Sequence, residues 1–216
     1  HGKGVIVQNG DSHRHNFAHI NSLIGGDESD QFIFEGIASM ENIDGGAGKN
    51  LLQGPDFDVI WSFNTKNSGA FQIEETIEVT SFSRIETITA GNGENSLQGL
   101  RGRNDWRIDK DNGGVLNGIA FSKMGNLLGG KGEDHFIFIG PFQLTGKRGI
   151  DGGEGKASLT ACPTDNSWQI TKDNGGEVNL GGSAVIPFAR IDEICGNNKQ
   201  DQFAFEGAHR LSGRVD

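Results

Sequence analysis

Asp30, Asp134 and Asp201 each stand between a glycine-rich turn and an aromatic strand, and a carboxylate repeated at that place suits a cation. The fullest copy is Gly129-Gly130-Lys131-Gly132-Glu133-Asp134-His135-Phe136-Ile137. Degraded copies run from Ile24 through Gly25, Gly26 and Asp30 to Phe34, and from Cys195 through Gly196 and Asp201 to Phe205. Calcium takes about six to eight oxygens from carboxylates and backbone carbonyls. The best calcium turn is therefore Gly129, Lys131 and Asp134, with Asp30 and Asp201 weaker. The competing role is structural: each Asp closes its turn by bonding its own backbone. That role is preferred here, so no cofactor is required and calcium is optional.

Other sets read as structure. Asp44, Asp151 and Asp216 belong to Asp-Gly-Gly turns or their truncated counterpart, where stacked carboxylates must each find an N–H or a cation. His13, His15 and His19 invite zinc but lack Cys or a matched carboxylate, so they read as an exposed polar turn. Trp61, Trp106 and Trp168 occupy one place in a repeated strand and read as packing rather than sugar platforms. Arg101, Arg103 and Arg107 read as a solvated face. Asp109, Lys110, Asp111, Lys172 and Asp173 recur at turns, whereas an active site should break the repeat at one place. No Ser/His/Asp set, paired carboxylates or helix-opening phosphate loop is visible, so no catalytic residue is assigned.

The repeat positions these residues. Shifting the chain by 104 residues lays Phe121 on Phe17, Gly129-Gly130 on Gly25-Gly26, and Phe136 and Phe138 on Phe32 and Phe34. Asn166-Ser167-Trp168-Gln169-Ile170 repeats Asn104-Asp105-Trp106-Arg107-Ile108, and Lys-Asp-Asn-Gly-Gly follows both. The units are approximately 1–57, 58–103, 104–165 and 166–216 of a single continuous segment. Gly25 to Gly45 is 20 residues and Gly129 to Gly152 is 23, so one turn is about 21 residues. Short alternating runs such as Phe32-Ile33-Phe34, and Ile73 to Thr80, read as strands. Three short strands per turn predict an all-β, right-handed parallel β-solenoid of about ten coils, with equivalent phenylalanines stacked inside. A β-sandwich is the runner-up. Phe32, Phe34, Phe136, Phe138, Phe203, Phe205, Trp61, Trp106 and Trp168 are the expected core.

Composition narrows the function. The net charge is −10, which argues against nucleic acid and anionic membranes. The 35 glycines among 216 residues, with only 4 prolines, mean many tight turns. Fourteen Phe and no Tyr suit a dry, narrow interior. Cys162 and Cys195 should lie on different faces, unpaired. No apolar run reaches the about 18 residues of a membrane span. The chain begins at His1 without a visible leader, and its last unit stops where Leu211 to Asp216 repeat Leu144 to Asp151. A longer parent array is expected.

Gly129 to Ile137 fits the calcium-binding nonapeptide throughout. The wider pattern resembles the repeat regions of giant secreted bacterial RTX-type and filamentous-haemagglutinin-like adhesins and exoproteins. It covers most of 1–57 and 104–216 and only loosely 58–103. The resemblance implies an extracellular, cell-surface repeat protein for attachment, matrix or filament building. The copies here stand alone rather than in tandem. Asn50 and Ser158 fall where a calcium roll would need Asp, and neutral Asn lacks the charge calcium prefers. The reading is a stiff adhesive spacer contacting flanking segments, neighbouring copies end to end, matrix or glycans. The alternatives are a carbohydrate-active β-helix enzyme of lyase or epimerase type and a calcium-stabilised ligand module.

Overall fold

The computed structural model describes residues 3–8, 14–18, 20–34, 36, 40–73, 79–182 and 185–216. Among the described residues there is no helix, and 23 strands form two mostly parallel sheets. In chain order they are β1 (Lys3–Gln8), β2 (Arg14–Ala18), β3 (Ser22–Ile24), β4 (Asp30–Phe34), β5 (Asn42–Asp44) and β6 (Leu51–Gln53). Then come β7 (Val59–Thr65), β8 (Ser68–Ile73), β9 (Val79–Ser83), β10 (Thr87–Thr89), β11 (Ser96–Gln98), β12 (Asn104–Lys110), β13 (Gly113–Leu116) and β14 (Ile119–Ser122). The rest are β15 (Asn126–Leu128), β16 (Asp134–Phe138), β17 (Ile150–Asp151), β18 (Ala157–Thr160), β19 (Asn166–Lys172), β20 (Gly175–Leu180), β21 (Val185–Ala189), β22 (Glu193–Cys195) and β23 (Asp201–Phe205). Side chains alternate across each pleat. In β16, Asp134, Phe136 and Phe138 are buried while His135 and Ile137 face outward.

The chain forms two compact units, one of residues 1–97 with 118–123 and one of 98–117 with 124–216. In the first, one sheet runs β2-β1-β4-β6-β10-β14 and the other β7-β8-β9-β5-β3. In the second unit the orders are β13-β12-β16-β18-β22 and β23-β19-β20-β21-β17-β15. Successive strands β3 to β6, and again β15 to β18, pass from one sheet to the other. Leu23 therefore pairs with Ile43, and Phe32 with Leu52, 20 residues on in each case. Leu127 pairs with Ile150 and Phe136 with Leu159 after 23 residues. The sequence-based turn length holds for these rungs, each of which places two short strands, not three, in the sheets.

The other rungs are longer because hairpins are inserted, and antiparallel pairs interrupt the parallel order. β7 with β8, β12 with β13 and β19 with β20 are the three hairpins. Each turns at an Asn in the left-handed region, Asn67 (φ 60°), Asn112 (φ 49°) and Asn174 (φ 52°), where Asn is tolerated better than most residues. Each carries a bulge at the same place, between Phe63 and Thr65, Ile108 and Lys110, or Ile170 and Lys172. The backbone oxygens of Asn67, Asn112 and Asn174 then accept N–H bonds from Ile85, Met124 and Ile191 at 3.0, 2.8 and 2.9 Å. β1 runs antiparallel to β4, whereas the 104-residue alignment calls for the parallel pairing β12 makes with β16. The counterpart of Trp106 there is Gly2, so the anchoring indole is missing.

The core columns are mixed rather than purely aromatic. Phe32, Leu52, Ile88 and Phe121 are in register in the first unit, and Trp106, Phe136, Leu159 and Ile194 in the second. All eight are buried. The expected core residues Phe32, Phe34, Phe136, Phe138, Trp61, Trp106 and Trp168 are buried as well. Phe203 and Phe205 are not: Phe203 is half-buried, stacked on Trp168 at 5.8 Å, and Phe205 is 44% exposed. Their strand β23 is the outermost of its sheet and pairs only with β19 among the described strands.

Rung stacking also explains the glycines. A Cβ on Gly130 would lie 2.0 Å from the Leu100 carbonyl oxygen, and one on Gly155 would meet the Gly132 oxygen still closer. Neither needs a positive φ; each is a place where one turn rests on the next. Gly130→Ala is expected to destabilise the chain by about 1–3 kcal/mol through overpacking. Gly102→Ala, with open space around the added methyl, should stay within about 0.5 kcal/mol of the native chain. Urea midpoints of the two variants check this.

Candidate functional site

The repeated carboxylates are turn closures. Asp134 Oδ2 accepts the Gly130 N–H at 2.9 Å, Asp30 Oδ2 that of Gly26 at 2.7 Å, and Asp201 Oδ2 that of Asn197 at 2.9 Å. In each case the donor lies four residues back, across the glycine turn. Asp134 Oδ1 also accepts Trp106 Nε1 and Asn104 Nδ2 from the adjacent rung, both at 2.9 Å. Asp201 Oδ1 accepts Asn166 Nδ2 at 2.7 Å and its backbone N–H at 3.2 Å. Three N–H donors thus converge on a carboxylate with about four lone-pair sites. A calcium shell needs oxygens pointing inward. Lys131 extends outward to Glu154 Oε2 at 3.1 Å, and Gly129 donates its N–H to Asp151. Among the described residues, no three His, Cys, Asp or Glu side chains gather as a metal site.

Asn does the same work on neighbouring rungs. Asn104 Oδ1 accepts the Leu100 N–H, while its Nδ2 donates to the Leu100 and Gly102 carbonyls. Asn166 donates to Cys162 and Thr164, and Asn50 to Ala47 and Arg84. Asn50 Oδ1 in turn accepts the Asp30 N–H at 2.9 Å. The rung position opposite Asp134 belongs to Ala157, not Ser158. Ser158 is one residue on and on the outer face, because the pleat reverses sides at every residue.

The second set of carboxylates meets both partners that stacking demands. Asp44 Oδ1 accepts the Gly46 N–H and pairs with Arg84; Asp151 Oδ1 accepts the Gly153 N–H and pairs with Arg190. Both arginines are in the left-handed region directly after the third strand of a meander. The sequence carries the matching signal, Ser-Arg-Ile and Ala-Arg-Ile, at those two ends. Asp216 pairs with Arg214, and its backbone oxygen accepts the Gly196 N–H. Leu211 to Asp216 repeat the bonding of Leu144 to Asp151: Ser212 N–H reaches Asn174 Oδ1 as Thr145 N–H reaches Asn112 Oδ1.

Trp61, Trp106 and Trp168 are buried, which removes them as sugar platforms. Trp106 stacks on Phe136 at 5.2 Å and also anchors Asp134. Among the described residues, the indole N–H groups of Trp61 and Trp168 find no hydrogen-bond partner. Asp111 and Asp173 hold the hairpin tips, accepting N–H bonds from Gln143 and Arg210. Arg103 and Arg107 form exposed pairs with Asp105 and Asp109, and Arg101 is exposed. Cys162 and Cys195 are free thiols, the first buried. His13 and His19 lie outside the described residues; His15 is in β2, with its side chain outside them.

One cluster escapes the repeat. Parallel pairing sets His135 of β16 directly beside Ser158 of β18, and Ser158 beside Glu193 of β22. His135 Nδ1 lies 2.8 Å from Ser158 Oγ, and its Nε2 lies 4.0 Å from Glu133 Oε2. They line an open groove of about 440 Å³ with Lys156, Asp192 and Ser212. No sequence motif announces this cluster, because His135, Ser158 and Glu193 are 23 and 35 residues apart and meet only through rung register.

No protein-family model, curated protein or solved structure matches the chain.

Two carboxyls should titrate in opposite senses. Burial pushes Asp134 above the ordinary 3.8, against the pull of the Trp106, Gly130 and Asn104 donors. Burial also acts to raise Asp44, but the Gly46 N–H and the Arg84 guanidinium outweigh it and hold the carboxyl below 3.8. Asp44 therefore contributes stability that is fully present above 3.8 and lost as the pH falls through its depressed value. The deficit of Asp44→Asn should vanish in acid. The deficit of Asp134→Asn should instead shrink as the pH rises through the raised value, since ionisation there costs the folded state. Thermal melts of both variants from about pH 2.5 to 7 check the two signs.

Proposed function

We propose that the chain is a structural and adhesive segment of a long extracellular repeat protein, folded as a right-handed parallel β-solenoid with hairpins inserted in some coils. The supporting observation is that the repeated polar residues are consumed in closing turns and joining rung to rung. Asn67, Asn112 and Asn174 do one job, Asp30, Asp134 and Asp201 another, and Arg84 and Arg190 a third. Repeats used this way build length and stiffness. Handedness follows from the preference of parallel crossovers. The inserted hairpins leave room for fewer coils than the about ten expected from length alone. The resemblance to repeat regions of secreted bacterial adhesins supports a surface or matrix location. The partners in this reading are flanking segments, neighbouring copies end to end, matrix or glycans, with no nucleic acid and no membrane insertion.

A solenoid is elongated, so small-angle scattering should give a radius of gyration above the about 17 Å of a compact domain of this length. A value at or below that figure overturns the stiff spacer. Surface-plasmon binding to immobilised matrix polysaccharides tests the adhesive half, and a flat response on all of them removes it.

The N–H-lined turns need no metal in this reading. Adding 1 mM calcium after exhaustive chelation should move the melting temperature by less than about 1 °C. A site binding at about 10 μM would add about 2.7 kcal/mol at that concentration. That gain corresponds to a rise of about 5–10 °C for a chain of this size.

A further inference from the structure

Glu133, His135 and Ser158 are where the second unit departs from the repeat. Their counterparts in the first unit are Ser29, Gln31 and Leu51, with Gln31 beside Leu51 as His135 is beside Ser158. The rungs form in both places, so a Ser–His pair is not what stacking requires. Nor is the pair occupied by the network around it. Asp192, a half-buried acid lining the same groove, is already committed to the Ala157 N–H, Asn174 and Ser212. His135 Nε2 is a buried nitrogen without a hydrogen-bond partner, facing Glu133 at 4.0 Å. A hydroxyl, an imidazole and a carboxylate in that order form a nucleophile, its base and the group that orients the base.

We propose that the groove over β16, β18 and β22 is a serine-nucleophile site that cleaves short acyl esters of polyhydroxylated alcohols, such as O-acylated saccharides. Ser158 Oγ attacks the acyl carbon while His135 Nδ1 takes the hydroxyl proton. The ester C–O bond breaks, and the alcohol leaves with the proton from His135. Water then adds to the acyl-serine, giving its proton to His135, and the carboxylic acid departs as Ser158 recovers its own. Lys156, in the same groove, supplies positive charge for the oxyanion. Glu133 is a positioning residue: its carboxylate, 4.0 Å from Nε2, favours the tautomer with the proton on Nε2 and leaves Nδ1 as the base toward Ser158. The substrate class follows from the walls. They are polar and charged, with Ala157 the sole aliphatic lining residue, so a long acyl chain finds no cover while a sugar hydroxyl finds partners. This activity goes beyond the spacer role and does not depend on it.

The test is a fluorophosphonate probe on the whole chain, with the modified residue mapped by mass spectrometry. Ser158 Oγ bonds to phosphorus and fluoride leaves, so a single adduct on Ser158 is expected. Ser158→Ala should abolish the adduct and the hydrolysis of 4-nitrophenyl acetate. His135→Gln, which preserves a hydrogen bond to Ser158 but is no base, should slow labelling by at least about 100-fold. Glu133→Gln should lower kcat for 4-nitrophenyl acetate by about tenfold while leaving KM within about twofold, the split expected when a positioned base is loosened and substrate binding is not. All three positions face outward, and circular dichroism verifies that each variant keeps the native β spectrum. Absence of an adduct on the folded native chain, an adduct on other serines only, or His135→Gln labelling as fast as native overturns the site.

Discussion

Backbone rests directly on backbone at the turns, and nearly everything else in the molecule accommodates that closeness. Strands in a sheet stand about 4.8 Å apart, and a stacked turn must keep the same spacing without a pleat to separate side chains. A methyl at Gly130 or Gly152 would fall inside the carbonyl of the neighbouring rung. The glycine content of the chain is thus a packing requirement as much as a conformational one. Once side chains are excluded, the turn's own N–H groups face inward with nothing to bond. Asp and Asn placed four residues on supply the acceptor, and a buried polar group left unpaired would cost about 1–3 kcal/mol.

Two acceptor chemistries serve that one need, with different consequences. Asn brings an oxygen for the N–H and a nitrogen for the carbonyls, as Asn104 does within its own turn. Asp brings two oxygens and so can also receive donors from the rung beside it. Asp134 and Asp201 use the second oxygen in that way. The alternation of Asn on one rung and Asp on the next joins turns that the core alone would leave to slide. Two of the stacked acidic turns match their charge with a cation, Asp44 with Arg84 and Asp151 with Arg190.

The repeat was legible in the sequence because its landmarks are local: glycine pairs, Phe-x-Phe runs and Lys-Asp-Asn-Gly-Gly. Those fixed strands, turns, the burial of the tryptophans and the short-rung spacing. The hairpins were harder. Lys110-Asp111-Asn112-Gly113 reads as a turn, but whether the strand behind it folds back or crosses to the other sheet depends on partners far away in sequence. Ser158 was placed one residue off for the same reason, since Ala157 faces the interior and carries no polar mark. Phe203 and Phe205 have the right pattern yet lack a covering strand among those described, and pattern carries no information about neighbours. The groove was invisible because register, not motif, assembles it.

The bulged hairpins have an evolutionary consequence. A rung that accepts an extra antiparallel pair between fixed ends, as at Asn67, Asn112 and Asn174, can change length while the strands before and after it keep their register. Duplication can then copy whole units, and drift can lengthen or shorten single rungs, without either event disturbing the turns on which the stack depends. The tips themselves are held, since Asn67, Asn112 and Asn174 bond the turn that follows, so room for change lies in the outward-facing residues of the hairpin strands while the interior is inherited unaltered.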